Sequence, residues 1–231
     1  MNMPPIVSLI VPCYNEEKTI RLLLDALLAQ TYPLAQMEVV IADGLSTDNT
    51  RKKIAEFVQT HSELDVKVIE NAARNIPAAL NVAIKASQGE IIVRMDAHAA
   101  PAPNYVERCV DALDAGLGEN VGGVWDICPS AEGWVAESIA AAAAHPLGVG
   151  DAFYRHATQA QSVDTVPFGA FRRELVEKIG LFDESLLANE DYEFNTRIRQ
   201  SGGTVWLDPA IRSVYFARPT FLRLAKQYFN Y

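Results

Sequence analysis

The chain has too few cysteines for a disulfide framework and lacks the surplus of basic residues that a nucleic-acid partner calls for. Cys13, Cys109 and Cys128 are the only three in 231 residues. They lie far apart, form no Cys-x-x-Cys pair and leave an odd number, so neither a disulfide framework nor a zinc knuckle is indicated, and a reducing cytosol fits best. Lys and Arg number 20 against 29 Asp and Glu, a formal net charge of -9. That balance disfavours nucleic acid as the main partner, because binding its phosphates needs a cationic surplus. A long hydrophobic run is also missing. The apolar stretch Ile6 to Val11 follows no basic residue and is too brief for the core of a signal peptide or for a membrane span; the alanine-rich stretch Ser138 to Ala144 is only a fragment of a spanning length. No repeat, low-complexity tract or linker divides the sequence, and with 49% hydrophobic residues it can bury a sizeable core as one large domain or a domain with an appendage.

Short β-branched runs alternate with amphipathic stretches in the first half, the pattern of a doubly wound α/β sheet. Strands are expected at Val7–Val11, Glu38–Ala42, Val66–Ile69 and Ile91–Met95. Between them Ile20, Leu23, Leu24, Leu27 and Leu28 make one helical stripe, and Ile54, Phe57 and Val58 make a shorter one behind the cap candidates Ser46 and Thr47. Pro77 suits the first position of a third helix running to about Ser87, and a fourth is expected from Tyr105 to Leu113. Past Val121 the alternation weakens to a strand around Gly123–Asp126 and a helix near Val135–Ala144. A stretch rich in Gly, His and Gln then runs to Gln161; its length and irregularity predict a functional loop. Helices at Arg173–Ile179 and Glu190–Gln200, a strand at Thr204–Leu207 and an apolar segment near Ile211–Phe216 complete the pattern. At the end, Phe221, Leu222, Leu224, Ala225 and Phe229 recur at helical spacing with no stop signal, so the natural chain is expected to continue beyond Tyr231.

Ligands of open α/β sheets sit outside the carboxyl ends of the strands, so chemistry is sought just after each strand. The first expected strand leads into Pro12-Cys13-Tyr14-Asn15-Glu16-Glu17, whose last three residues read equally as a helix cap with acids in the first turn. The second leads into Asp43-Gly44, also a common turn pair. The fourth leads into Asp96-Ala97-His98, where the i, i+2 spacing projects a carboxylate and an imidazole to one side; they could share a divalent cation, or be an ordinary acid and a satisfied histidine. The cluster Asn189-Glu190-Asp191-Tyr192-Glu193 opens a helix. Three acids in five residues exceed what a cap requires, and an ionised Asp there could act as a general base.

Taken in this order, Val11 to Glu17, Ala42 to Thr50, Arg94 to Ala99 and Asn189 to Glu193 resemble the family-2 glycosyltransferases with the GT-A fold. The segments Val163 to Arg173 and Gln227 to Tyr231 are further similar to the succinoglycan and exopolysaccharide subgroup. The resemblance implies a Rossmann-like, mostly parallel sheet flanked by helices with a smaller C-terminal acceptor-side portion. It divides the single domain into a nucleotide-sugar half (1–126), an acceptor and base half (127–218) and a C-terminal helix (219–231).

Carried over residue by residue, the resemblance implies that Pro12, Tyr14 and Glu16 line the nucleoside pocket and that Asp43 contacts the base, usually uracil. Asp96 and His98 occupy the family's Asp-x-Asp site for a divalent cation and the donor diphosphate. Histidine in place of the second Asp is a departure, and it leaves Mn²⁺ or Mg²⁺ undecided, since imidazole suits Mn²⁺ better. Asp191 matches the catalytic base with Glu190 as supporting acid, and Arg74 is a looser match to a phosphate or ribose contact. Inverting transfer from a UDP-sugar to an acceptor hydroxyl is implied, and the absence of the Gln-x-x-Arg-Trp signature of processive relatives favours one sugar per encounter. Exopolysaccharide relatives imply a lipid-linked saccharide acceptor at the inner face of a bacterial membrane. That makes the C-terminal helix a candidate for peripheral membrane contact, although packing against the domain explains the same pattern. Two competing readings are a sugar nucleotidyltransferase, which normally has a Gly-rich loop where this chain has Pro12 to Asn15, and a non-catalytic nucleotide-sugar-binding module.

Overall fold

The computed structural model of the protein describes residues 5–150, 152–218, 220–222 and 224. Strand β1 (Val7–Cys13) is buried along almost its whole length, as a near-continuous apolar run should be at the centre of a parallel sheet. Helix α1 (Ile20–Leu28) follows, with Ile20, Leu23, Leu24 and Leu27 turned inward. Then come β2 (Met37–Asp43), α2 (Thr50–Thr60), β3 (Asp65–Glu70), α3 (Ile76–Ala86), β4 (Ile91–Arg94), β5 (Ala100–Pro101) and α4 (Tyr105–Asp114). The second half adds β6 (Asn120–Pro129), α5 (Trp134–Ala144), the short α6 (Pro146–Val149), β7 (Gln161–Ser162), β8 (Ala170–Arg172), α7 (Arg173–Ile179), α8 (Glu190–Gln200) and β9 (Val205–Ala217).

Among the described residues these strands form one nine-stranded sheet in the order β3-β2-β1-β4-β8-β6-β9-β5, with β7 also paired to β9. β1, β2, β3 and β4 are mutually parallel, β8 is antiparallel to both β4 and β6, and β9 is parallel to β6. Six strands therefore run one way, against β5, β7 and β8, and the expectation of a mostly parallel α/β sheet holds. One face packs Leu9 and Val11 against α1, α2 and α4. The other packs Ile10, Val40 and Ile92 against α3, α7 and α8. β6 runs through residue 126, so the two halves share one sheet. No helix among the described residues is long and apolar enough to cross a membrane.

Three local expectations need correction. Ser46 and Thr47 do not cap α2; Asn49 stands at its N-cap without a side-chain cap bond, and the preceding Asp48 carboxylate accepts from the Thr50 backbone N–H at 2.9 Å, while Ser46 bonds Asp43 and Thr47 bonds Asn15. Pro77 is the second residue of α3, because Asn75 takes the cap and accepts from Ala78 N at 2.8 Å. The segments expected at Thr204–Leu207 and Ile211–Phe216 are one strand, β9. Its pairing with β6 slips from Gly122↔Leu207 to Val124↔Arg212. Pro209, which has no N–H for the ladder, lies inside that slip. Gly123 fits there because a Cβ would stand 1.8 Å from the Ile211 carbonyl oxygen. Near the C-terminus Phe221 and Leu222 are exposed, Leu224 packs beside Ala217, and Ala225 and Phe229 lie outside the described residues.

Candidate active site

The carboxyl ends of β1, β2 and β4 gather on one edge of the sheet, and a cleft of about 710 Å³ opens beside them. It is lined by Arg94, Asp96 and His98 from β4 and its following turn, and by Glu190 and Asp191 from the first turn of α8. Residues separated by almost a hundred positions in sequence thus meet in one cavity.

Arg94 joins them. Its side chain is 6% exposed, which for a guanidinium demands compensation by acids. Nη2 donates to Glu190 Oε1 at 2.9 Å and more weakly to Asp96 Oδ1 at 3.4 Å, and Nη1 is ion-paired with Asp191 Oδ1. Glu190 is buried, whereas the Asp191 side chain is 29% exposed. Asp191 Oδ2 has no hydrogen bond among the described residues, so one oxygen of this carboxylate remains available to a ligand. The third acid of the cluster, Glu193, is committed elsewhere, to Arg197 at 2.6 Å. Acids at this helix start also face the positive end of its dipole.

A turn closed by Ala99 N–H donating to the Asp96 carbonyl brings His98 back over the strand end. His98 Nδ1 lies 3.3 Å from Glu16 Oε1, and Nε2 stands 3.9 Å from Asp96 Oδ2. Partial burial works against the charge on this ring, but the Glu16 hydrogen bond and the Asp96 and Glu16 carboxylates outweigh it and hold the imidazole above its ordinary range. Burial likewise favours neutral Glu16, yet hydrogen bonds from His98 and Thr19 and the charges of His98 and Arg218 hold it below the usual carboxylate range. In the neutral ring, a proton kept on Nδ1 by Glu16 leaves Nε2 open as a ligand nitrogen, the usual arrangement around metal-binding histidines. Among the described residues no group of three His, Cys, Asp or Glu is placed to hold an ion. Asp96 Oδ2 and His98 Nε2, 3.9 Å apart, are two side-chain atoms that could hold a cation here, with its other ligands left to substrate phosphates or water.

The residues expected at the nucleoside side lie beyond this cleft. Pro12, the last residue but one of β1, pairs with Ala42, and Tyr14 is 52% exposed with its ring against Gly44. Their loop is laced to the one after β2: Asn15 N–H donates to Ser46 Oγ at 2.9 Å, and Asn15 Oδ1 accepts from Thr47 N at 2.8 Å. Asp43 is fully buried, and its oxygens accept from the Ser46 N–H at 3.0 Å, the Ser46 hydroxyl and Arg51 Nε at 2.5 Å. It thus shapes the loop as a turn residue does. Arg74 is exposed with left-handed backbone at φ 57°, and its side chain makes no hydrogen bond or ion pair among the described residues. The Asn15-Glu16-Glu17 segment does not cap α1, which begins later, at Ile20, with no acid in its first turn. The neighbouring Cys13 thiol is pushed up to about 12, first by burial and then by Asp43, Glu16 and Asp48, so it is no nucleophile.

Sequence reasoning gave no role to Arg94, because a residue inside a strand run reads as framework. It also missed the aromatic wall of Trp125, Tyr154 and Tyr215, and Arg155 beside it. Tyr154 and Arg155 come from the irregular stretch expected to be functional, in a 3₁₀ turn at Phe153–Arg155.

A sequence profile for "Glycosyl transferase family 2" matches residues 8–180. The chain is 29% identical to the dolichyl N-acetyl-alpha-D-glucosaminyl phosphate 3-beta-D-2,3-diacetamido-2,3-dideoxy-beta-D-glucuronosyltransferase of Methanococcus voltae, over 97% of this chain and 71% of that protein. It is 32% identical to the succinoglycan biosynthesis protein ExoA of Rhizobium meliloti, over 96% of this chain and 67% of that protein. Among solved structures, the mannosyltransferase PcManGT from Pyrobaculum calidifontis, in complex with GDP-Man and Mn²⁺, aligns with a TM-score of 0.73 at 28% identity, over 92% of this chain and 57% of that one.

Proposed function

The chain belongs to glycosyl transferase family 2, and on that premise we propose that it transfers a sugar from a nucleotide-sugar donor, a UDP-sugar, to a saccharide hydroxyl in one in-line displacement. The observation that carries this reading is Arg94, which ties Asp96 to Glu190 and Asp191 within one cleft. The residues proposed to hold a cation and the candidate base line the same cleft. Asp191 Oδ2 takes the proton of the acceptor hydroxyl, whose oxygen attacks the anomeric carbon. The bond from that carbon to the donor phosphate breaks, and the departing nucleoside diphosphate keeps the electron pair. Attack opposite the leaving group inverts the anomeric centre. A divalent cation held by Asp96 and His98 would offset the charge developing on the diphosphate. Arg94 and Glu190 fix where Asp191 stands, and Glu16 fixes the His98 ring.

The acceptor is proposed to be a lipid-linked saccharide of a cell-surface glycan, since one relative is named for a dolichyl phosphate sugar and another for succinoglycan biosynthesis. Reaction at the inner face of a bacterial membrane belongs to the same proposal.

Asp191→Asn tests the base. Turnover is expected to fall by roughly 10²–10⁴ while calorimetric affinity for the donor stays unchanged. Full turnover in that variant would remove the assignment. The donor is identified by thermal shift with UDP-glucose, UDP-N-acetylglucosamine and GDP-mannose, because a ligand that binds only the folded state raises the melting temperature.

A further inference from the structure

Arg155, which lines the cleft, has no part in this reaction. Arg94 and His98 are engaged with acids, but Arg155 makes no ion pair or side-chain hydrogen bond among the described residues, and its Nε is buried without a partner. It is held instead by three rings, its Cζ lying 5.2 Å from the Trp125 ring, 5.6 Å from Tyr154 and 5.7 Å from Tyr215. Those rings make a rigid wall. Trp125 and Tyr215 are stacked at 4.4 Å with 3° between their planes, and Tyr154 meets Trp125 edge-on at 4.8 Å. Contact with aromatic faces fixes a guanidinium while leaving its planar fork of N–H donors unspent. A guanidinium partly withdrawn from water, with no counter-ion among the described residues, is unfavourable unless a ligand supplies one.

Its place in the sheet says which ligand. Val93 of β4 and Val121 of β6 both pair with Ala170 of β8, so Trp125, four residues past Val121, stands at the height of Asp96 to His98. With β8 between them, β4 and β6 are two strand spacings apart, roughly 10 Å. The donor diphosphate belongs at Asp96 and His98 on the proposed function, and Arg155, held against Trp125 of β6, lines the same cleft.

Resting on that function, we propose that Arg155 and the Trp125–Tyr215 wall form a subsite for an anionic group, a phosphate ester or a carboxylate, carried by the acceptor saccharide. The rings give the subsite an apolar lining for the C–H side of a sugar, and the guanidinium fork takes two oxygens of the anion.

Calorimetry on the whole chain tests this with N-acetylglucosamine 1-phosphate, glucuronic acid and neutral methyl N-acetylglucosaminide, each in the presence of UDP. At least one charged sugar is expected to bind about 10- to 100-fold more tightly than the neutral one, the range for hydrogen bonds to a charged group. The phosphate and carboxylate arms show which anion is read. Arg155→Met should erase the difference and leave UDP affinity unchanged, while Arg155→Lys should keep part of it. Equal binding of charged and neutral sugars to a wild-type protein that binds UDP would overturn the subsite alone. Loss of UDP affinity in Arg155→Met would instead assign Arg155 to the donor and overturn it too. If neither UDP nor any UDP-sugar binds the wild type, the proposed function fails first and the subsite with it.

Discussion

Replacing Arg94 by methionine keeps much of the side-chain volume and removes only the cation that three carboxylates share. The Asp96 and Asp191 side chains are 25% and 29% exposed, so solvent absorbs much of their loss. Glu190, 8% exposed, has no such recourse. Removing one partner of a buried ion pair costs about 3–5 kcal/mol, which for a domain of this size lowers the melting temperature by roughly 6–20 °C. The measurement is a thermal melt followed by circular dichroism, on Arg94→Met and on the double variant Arg94→Met with Glu190→Gln. The double variant removes the stranded charge and should regain most of the lost stability. That non-additivity is the signature of direct coupling. A single variant that melts within about 2 °C of wild type, or a double variant no more stable than the single one, would refute the view of Arg94 as the buried keystone of the site.

Other perturbations test the frame and the cation site. Glu38, buried in β2, accepts from Ser8 Oγ at 2.6 Å and Lys67 Nζ at 2.8 Å. Burial alone would raise its pKa, but hydrogen bonds from Gln88, Lys67 and Ser8 lower it overall. Its contribution is therefore present above the unfolded carboxylate range and lost as pH falls through the lower folded value. Glu38→Gln should cost about 1.5–3 kcal/mol at neutral pH, measured by urea unfolding, and the gap to wild type should close on acidification. Gly123→Ala forces a methyl into the Ile211 carbonyl, where no side chain can yield; loss of more than about 3 kcal/mol is expected, with quenching of the Trp125 environment seen by fluorescence. His98→Asp replaces an imidazole with a hard oxygen ligand, so transferase activity should shift from Mn²⁺ towards Mg²⁺ in a cation titration. Glu16→Gln removes the carboxylate that orients His98 and should weaken the apparent affinity for Mn²⁺ about 10- to 100-fold.

Where signals are local, the sequence was legible. The helical stripe of α1 and the apolar runs of β1 and β2 carry their own periodicity, and α7 and α8 begin and end at the expected residues. That Asp96 and His98 lie side by side was readable from their spacing, and that Asp191 stands in the first turn of a helix was readable from its acid cluster. What escaped depends on partners distant in sequence. β8 is three residues long and exists because β4 and β6 leave it a slot, so no pattern of its own announces it. β9 reads as two segments because Pro209 interrupts the alternation, and only β6 alongside restores continuity. Arg94 sits within a buried strand, and its meaning comes from acids on α8. Arg155 lies in a stretch without periodicity, and its wall is assembled from β6, β9 and a 3₁₀ turn. Asp43 was visible as an acid after a strand, but that Ser46 and Arg51 enclose its carboxylate was not.

The most direct test of sugar transfer in this cleft follows the anomeric carbon itself. A UDP-sugar labelled with ¹³C at C1, incubated with Mn²⁺ and a glycosyl phosphate acceptor, can be watched by NMR. The α-linked donor resonance should be replaced by that of a β-glycoside at the rate at which UDP appears, and Asp191→Asn should slow both together. An α-glycoside product, or pyrophosphate released from UTP and a sugar phosphate in place of any transfer, would contradict the account.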